Sequence, residues 1–180
     1  MKKLLLLIAS LSLVLAACSE DKEEKKVTPT EGTKSEEATT DEKANPAGDM
    51  MKFYLSISQS INAVDADLNA YENVETLEVP PEAAELKKMQ EAARIAAANA
   101  AIKVEELEVP ADLKAQQETI DSALKKIQEA YTMKSDALAA EGEVVLDEAN
   151  AKFEEADTEL NKVLKEVGLA ESSISMEVAQ

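Results

Sequence analysis

The feature that most limits what this chain can fold into is a stripe of apolar residues spaced alternately three and four apart. Met50, Tyr54, Ile57, Ile61, Val64, Leu68 and Tyr71 keep that spacing, which puts all seven on one face of an α-helix and does not fit the two-residue alternation of a strand. Leu86, Met89, Ala93, Ala96, Ala100, Val104 and Leu107 repeat it through an alanine-rich stretch. Small side chains there let a neighbouring helix approach closely. Leu113, Gln117, Ile120, Leu124, Ile127, Tyr131 and Leu138 carry it further, with Lys134 as a polar interruption. Gln117 and Lys134 are expected at the edge of the stripe, with their polar ends in water. The pattern slips by one residue at Gly142 and resumes as Leu146, Ala149, Phe153, Ala156, Leu160, Val163 and Val167.

The stripes are separated by a repeated joint. Val74-Glu75-Thr76-Leu77-Glu78-Val79-Pro80 returns as Val104-Glu105-Glu106-Leu107-Glu108-Val109-Pro110. Proline disfavours helical geometry in the residue before it but fits the first turn of a new helix, so each copy reads as a helix end, an apolar plug and a helix start. The leucine and valine of each copy are expected to seal an end of the core. No third copy follows, which argues against a long repeat array. A single helix over 111–167 would be about 85 Å long, twice its neighbours, so a break is expected near Glu141-Gly142. Four helices of about 24 to 30 residues result, each about 36 to 45 Å long. The fold class expected is all-α, an antiparallel, coiled-coil-like up-down four-helix bundle over residues 50–168. Gly168 suits the C-cap of the last helix. Residues 169–180 are expected to be a flexible tail, although Ile174, Met176 and Val178 alternate like a short strand that could dock on a partner.

Chemistry is sparse. There is no histidine or tryptophan, one cysteine and four glycines in 180 residues. A Ser-His-Asp triad, an ordinary zinc site, a Glu-x-x-His di-iron pair and a glycine-rich phosphate cradle are therefore out of reach. Asp65-Ala66-Asp67-Leu68-Asn69 copies the first ligand positions of a calcium loop, but Ala70 and Thr76 stand where that loop needs glycine and glutamate. Acid pairs such as Glu105-Glu106 and Glu154-Glu155 are expected on solvated faces. The formal charge of −18 repels phosphates, so a nucleic-acid partner is not expected. No catalytic, cofactor or metal residues are assigned, and the chain is not expected to be an enzyme.

The N-terminus is more specific. Met1-Lys2-Lys3, an apolar run from Leu4 through Leu15 with short polar breaks, and small residues before Cys18 are the three parts of a secretory signal, too short for a membrane span of ~20 residues. Leu15-Ala16-Ala17-Cys18 resembles the lipobox of bacterial lipoproteins. The resemblance implies that residues 1–17 are a signal peptide removed in front of Cys18, and that Cys18 is the lipid attachment site, holding the protein to the membrane through its acyl chains. A lone cysteine in an exported chain has no internal disulfide partner, which suits that role. Residues 18–49 then form the lipidated cysteine and a tether. Ser19 to Asp49 holds ten acidic residues and five lysines with almost no large apolar side chain, and as a disordered coil would span about 30 Å.

Together these features predict an extracytoplasmic lipoprotein at a cell membrane, in a lysine-rich chain suggestive of a Gram-positive envelope. Its helical domain is expected to be a non-catalytic interaction or spacer module with an unidentified protein partner. The alternative is a small apolar or cationic ligand held in a pocket in the helical core, where the alanines of the stripe leave room. Labelled palmitate fed to a bacterial host should enter the wild-type chain, and Cys18→Ser should abolish the label and move the protein to the medium or leave it uncut at the membrane; unchanged processing and labelling would refute the lipobox reading.

Overall fold

The computed structural model describes residues 45–179, which are all-α, with six helices and no strand among them. Cys18, the signal segment and the first part of the expected tether, through residue 44, lie outside the described residues.

Helix α1 spans Pro46–Asn62. It begins four residues before Met50 because Asn45 caps it. The Asn45 side chain accepts a hydrogen bond from the Gly48 amide at 3.1 Å, and Pro46 takes a first-turn position where its missing N–H is not needed. The last residues assigned to the tether therefore belong to the helical domain. The stripe from Met50 to Tyr71, expected to be one helix, is divided into α1 and α2, Ala66–Glu72. Asn62, Val64 and Asp65 are weak helix formers, and Asp65 takes the N-cap position of α2. The apolar spacing survives the break, with Met50, Tyr54, Ile57, Ile61 and Leu68 all buried.

Helix α3 spans Ala83–Glu105, α4 Gln117–Ala139 and α5 Asp147–Glu166. The expected break at Glu141-Gly142 is present, and Gly142 has φ +111°. Helix α4 starts later than Pro110 suggested, because a 3-10 turn at Ala111–Leu113 comes first and buries Leu113. Sequential helices pack on one another: α2 on α3, α3 on α4 and α4 on α5. Near the start of α3, Gln90 Nε2 donates to Leu138 O at 2.8 Å, and the Ser135 hydroxyl donates to Arg94 O at 3.2 Å, both from the end of α4. These two helices therefore run in opposite directions. Helices α4 and α5 do likewise, since Tyr131 meets Phe153 edge to face at 5.5 Å while Lys126 meets Glu159 at 2.9 Å. Alanines 93, 96, 97, 100 and 101 of α3 are buried in the core.

The two joints are not equivalent. Leu107 and Val109 of the second pack against the core as expected. Leu77 and Val79 of the first do not: they are 48% and 80% exposed. The second joint lies beside Phe53 and Ser56 of α1, which give its apolar residues something to cover.

The C-terminal segment corrects the expectation of a flexible tail. Ile174–Val178 form α6, with Ile174 and Val178 buried and Met176 75% exposed. The spacing that matters is the four residues from Ile174 to Val178, one helical turn, and not the strand-like alternation. Gly168, at φ +83°, turns the chain out of α5. Leu169 N bonds Leu164 O at 2.8 Å and Gly168 N bonds Lys165 O at 3.1 Å, the two bonds of a Schellman motif. Because a side chain is strained at that φ, Gly168→Ala should destabilise the domain by about 1 kcal/mol, seen as a fall of a few degrees in the melting midpoint by circular dichroism.

Candidate functional site: the tail clasp and the Lys134 cavity

Two groups of polar side chains stand out because each is centred on a buried charged residue, Asp157 in one and Lys134 in the other. The first receives the tail. Asp157, on α5 and only 9% exposed, accepts the Ser173 and Ser175 hydroxyls at 2.7 and 2.8 Å and the Ile174 amide at 2.8 Å. Asn161, one turn further along, accepts the Ser172 amide at 2.9 Å. At the other end of α6, Asn62 and Asn69 donate to Glu177 O and Val178 O at 3.2 and 2.6 Å. One carboxylate thus holds the incoming end of the tail and two amides hold its outgoing carbonyls. Ordering each residue costs ~1–2 kcal/mol, and two buried aliphatic side chains offset only part of that for a seven-residue segment, so these hydrogen bonds decide whether the tail docks.

Beneath the tail, Tyr54 of α1 is 3% exposed, and its hydroxyl is buried without a hydrogen-bond partner of good geometry. Burial pushes the phenol up to about 12; the nearby Ser172 hydroxyl opposes the rise, while Glu177 and Asp157 add to it. Tyr54 is the one imperfect fit under the clasp.

The second group surrounds Lys134. The residue expected at a stripe edge is buried, 8% exposed, and its ammonium pairs with Glu72 of α2 at 2.7 Å and lies 6.0 Å from the centre of the Tyr131 ring. Gln117, by contrast, is exposed as expected. Lys134 and Glu72 line a cavity of about 290 Å³ with Asn69, Asn150, Phe153 and Glu154, and the tail supplies another wall through Ser175 and Val178. A larger cleft of about 750 Å³ opens between the start of α3 and the end of α4. Three of its polar side chains are already engaged: Gln90 bonds Leu138 O and Arg94 is paired with Glu91. The smaller cavity is the one lined by a buried charge, Lys134, and for that reason is the better candidate for a ligand.

Asp65 adjoins this group. It is 2% exposed, and one of its oxygens has no partner. Burial pushes its carboxyl up to about 6; its own backbone and Asn69 pull it back by hydrogen bonding, Glu72 adds to the rise and Lys134 opposes it. Tyr131 is pushed well above the ordinary phenol range, chiefly by burial, with Asp65 and Glu72 contributing. The run resembling a calcium loop is the start of α2, with Leu68 in the core and Asp67 exposed. Among the described residues no group of three or more acidic, histidine or cysteine side chains is placed to hold a metal. Of the acid pairs, Glu155 faces Lys126 and Lys152, and Glu106 faces Lys103.

Sequence reasoning missed Asp157, Asn161 and Asn62, which are off the apolar stripe, and took Asn69 only as a position in the incomplete calcium-loop pattern. The available signal was Ser173, an N-cap residue one position before the i, i+4 pair Ile174 and Val178. Comparisons with protein-family models, with curated proteins and with solved structures return no match to this chain.

The raised carboxyl of Asp65 has a signed consequence. The folded state holds its proton more tightly than the unfolded chain, so the favourable contribution is present below about pH 4 and is lost as pH rises through about 6. Asp65→Asn, which copies the neutral form, should raise the melting midpoint by about 3 °C or more at pH 7.5 and leave it nearly unchanged at about pH 3.5, measured by scanning calorimetry at both pH values.

Proposed function

We propose that this chain is a membrane-anchored extracytoplasmic lipoprotein whose helical domain is a non-catalytic module for binding a protein partner. Cys18 would carry the lipid, residues up to about 44 would act as the tether, and the domain would stand off the outer face of a cytoplasmic membrane in a Gram-positive envelope. In architecture we read α1 with α2, α3, α4 and α5 as the four arms of an up-down bundle. The opposed directions of α3 and α4, and of α4 and α5, support that reading.

The observation that carries the functional reading is that the most developed polar constellation in the domain binds polypeptide. Asp157, Asn161, Asn62 and Asn69 are set to recognise the two ends of a short helix. In keeping with a presented surface, Leu77 and Val79 stand outward on the joint between α2 and α3, and no helix of the described residues is long and apolar enough to cross a membrane.

A second reading is favoured by the cavity beside Lys134. With Glu72 and the Tyr131 ring already taken up by Lys134, Glu154 and the Phe153 ring are the groups left to receive a small organic cation. Tetramethylammonium at millimolar concentration should then raise the melting midpoint of the wild type but not of Glu154→Gln; no shift in either would exclude the cation.

For the main reading, a photo-crosslinking amino acid placed in turn at Leu55, Val79, Ile102 and Met176 in living cells should give a discrete protein adduct from at least one position. Absence of any adduct from all four exposed sites would contradict the module reading and leave a passive spacer.

A further inference from the structure

Helices α1 and α5, the first and last long helices of the domain, make almost no direct contact with one another. Helix α6 touches both, and places Ile174 and Val178 in the core between them. The seam between α1 and α5 is thus a groove with two apolar pits one helical turn apart, a carboxylate at one end and two amide donors at the other. Such a groove measures a helix of one turn by its termini: Asp157 accepts the free N–H groups that open a helix, and Asn62 and Asn69 donate to the free carbonyls that close it.

We propose that this groove is the docking site for a short amphipathic helical segment of a partner protein, and that residues 172–178 are its resident occupant, displaced when the partner binds. The partner segment has a hydroxyl residue before the first of two aliphatic residues four apart, and an acceptor that reaches Tyr54. This deepens the interaction-module reading and rests on it.

Three observations favour exchange over a permanent wall. The tail leaves α5 through Gly168 and reaches α6 by a stretch without regular structure, so it can swing away with the five long and short helices before it intact. A five-residue helix has no stability of its own away from its groove. The resident is also an imperfect ligand, since Ser172, its contact to the buried Tyr54 hydroxyl, is not placed for a well-formed hydrogen bond. A segment with a better-placed acceptor there has an advantage over the tail it replaces.

The test uses the signal- and lipid-free chain, residues 19–180, and a fluorescein-labelled peptide of residues 170–180 as the probe. The double variant Ile174→Ser, Val178→Ser empties the pits without touching the groove. It should bind the peptide in the micromolar range, and the wild type at least tenfold more weakly, because its own tail competes at an effective concentration of about a millimolar. A folded double variant that does not bind, or equal binding by both proteins, overturns the proposal. Should the double variant fail to fold, hydrogen exchange on the wild type decides. The Met176 and Glu177 amides should exchange at least a hundredfold faster than those around Ile127 in α4, whereas equal rates make the tail an integral part of the core and overturn exchange. Failure here leaves the crosslinking result from the domain's other surfaces standing, so the two readings fall separately.

Discussion

A row of helices, each with one apolar stripe and each packed on its predecessor, buries its core only if the first and last are brought together or the gap between them is filled. Here the gap is filled. Helices α1 and α5 meet through a five-residue helix, and that helix stays in place through one buried carboxylate, Asp157, and three asparagines. The Schellman turn at Gly168 aims the chain back toward the seam, and the i, i+4 spacing of Ile174 and Val178 matches the pits it must fill. The other long helices pack mainly on their neighbours in sequence, with α1 also resting on α3.

The same region concentrates the buried polar groups. Lys134 with Glu72, the half-satisfied Asp65 and the poorly paired Tyr54 all lie within or next to elements that touch the tail. Elsewhere the charges of this strongly acidic chain are mostly at the surface, in pairs such as Lys125 with Glu129 that contribute little to stability, the exception being Glu159, half-buried beside Lys126 with one oxygen unpaired. Buried, imperfectly paired groups cost folding free energy. Their clustering around a segment that closes the core is the physical reason to read that region, and not the open cleft near Arg94, as the part of the molecule that does something besides fold.

The helices were legible because burial follows periodicity. Every apolar stripe residue from Ile120 to Tyr131 is buried, and the break at Gly142 could be inferred from a one-residue slip. What could not be read is instructive in each case. The division at Asp65 leaves the stripe intact, so spacing gives no sign of it. The two copies of the joint are almost identical in sequence, yet one packs and the other stands in solvent, because α1 lies beside only the second. Lys134 looked like an edge residue, since its partner, Glu72, is on a different helix sixty-two residues away. Asp157 carries no local sign of its role, since the serines it holds come from a segment whose own pattern is too short to show a helix. Long-range polar pairing has no local signature, and the candidate site is made of it.

The central claim is that the Asp157 carboxylate and the tail serines form one energetic unit that closes the seam. A double-mutant cycle tests it most directly: Asp157→Ala, the pair Ser173→Ala with Ser175→Ala, and all three together, each measured by denaturant unfolding. The structure predicts that the combined variant loses less stability than the sum of the two separate changes by about 1 kcal/mol or more. Strict additivity would mean that Asp157 and the tail do not interact, and would contradict the account.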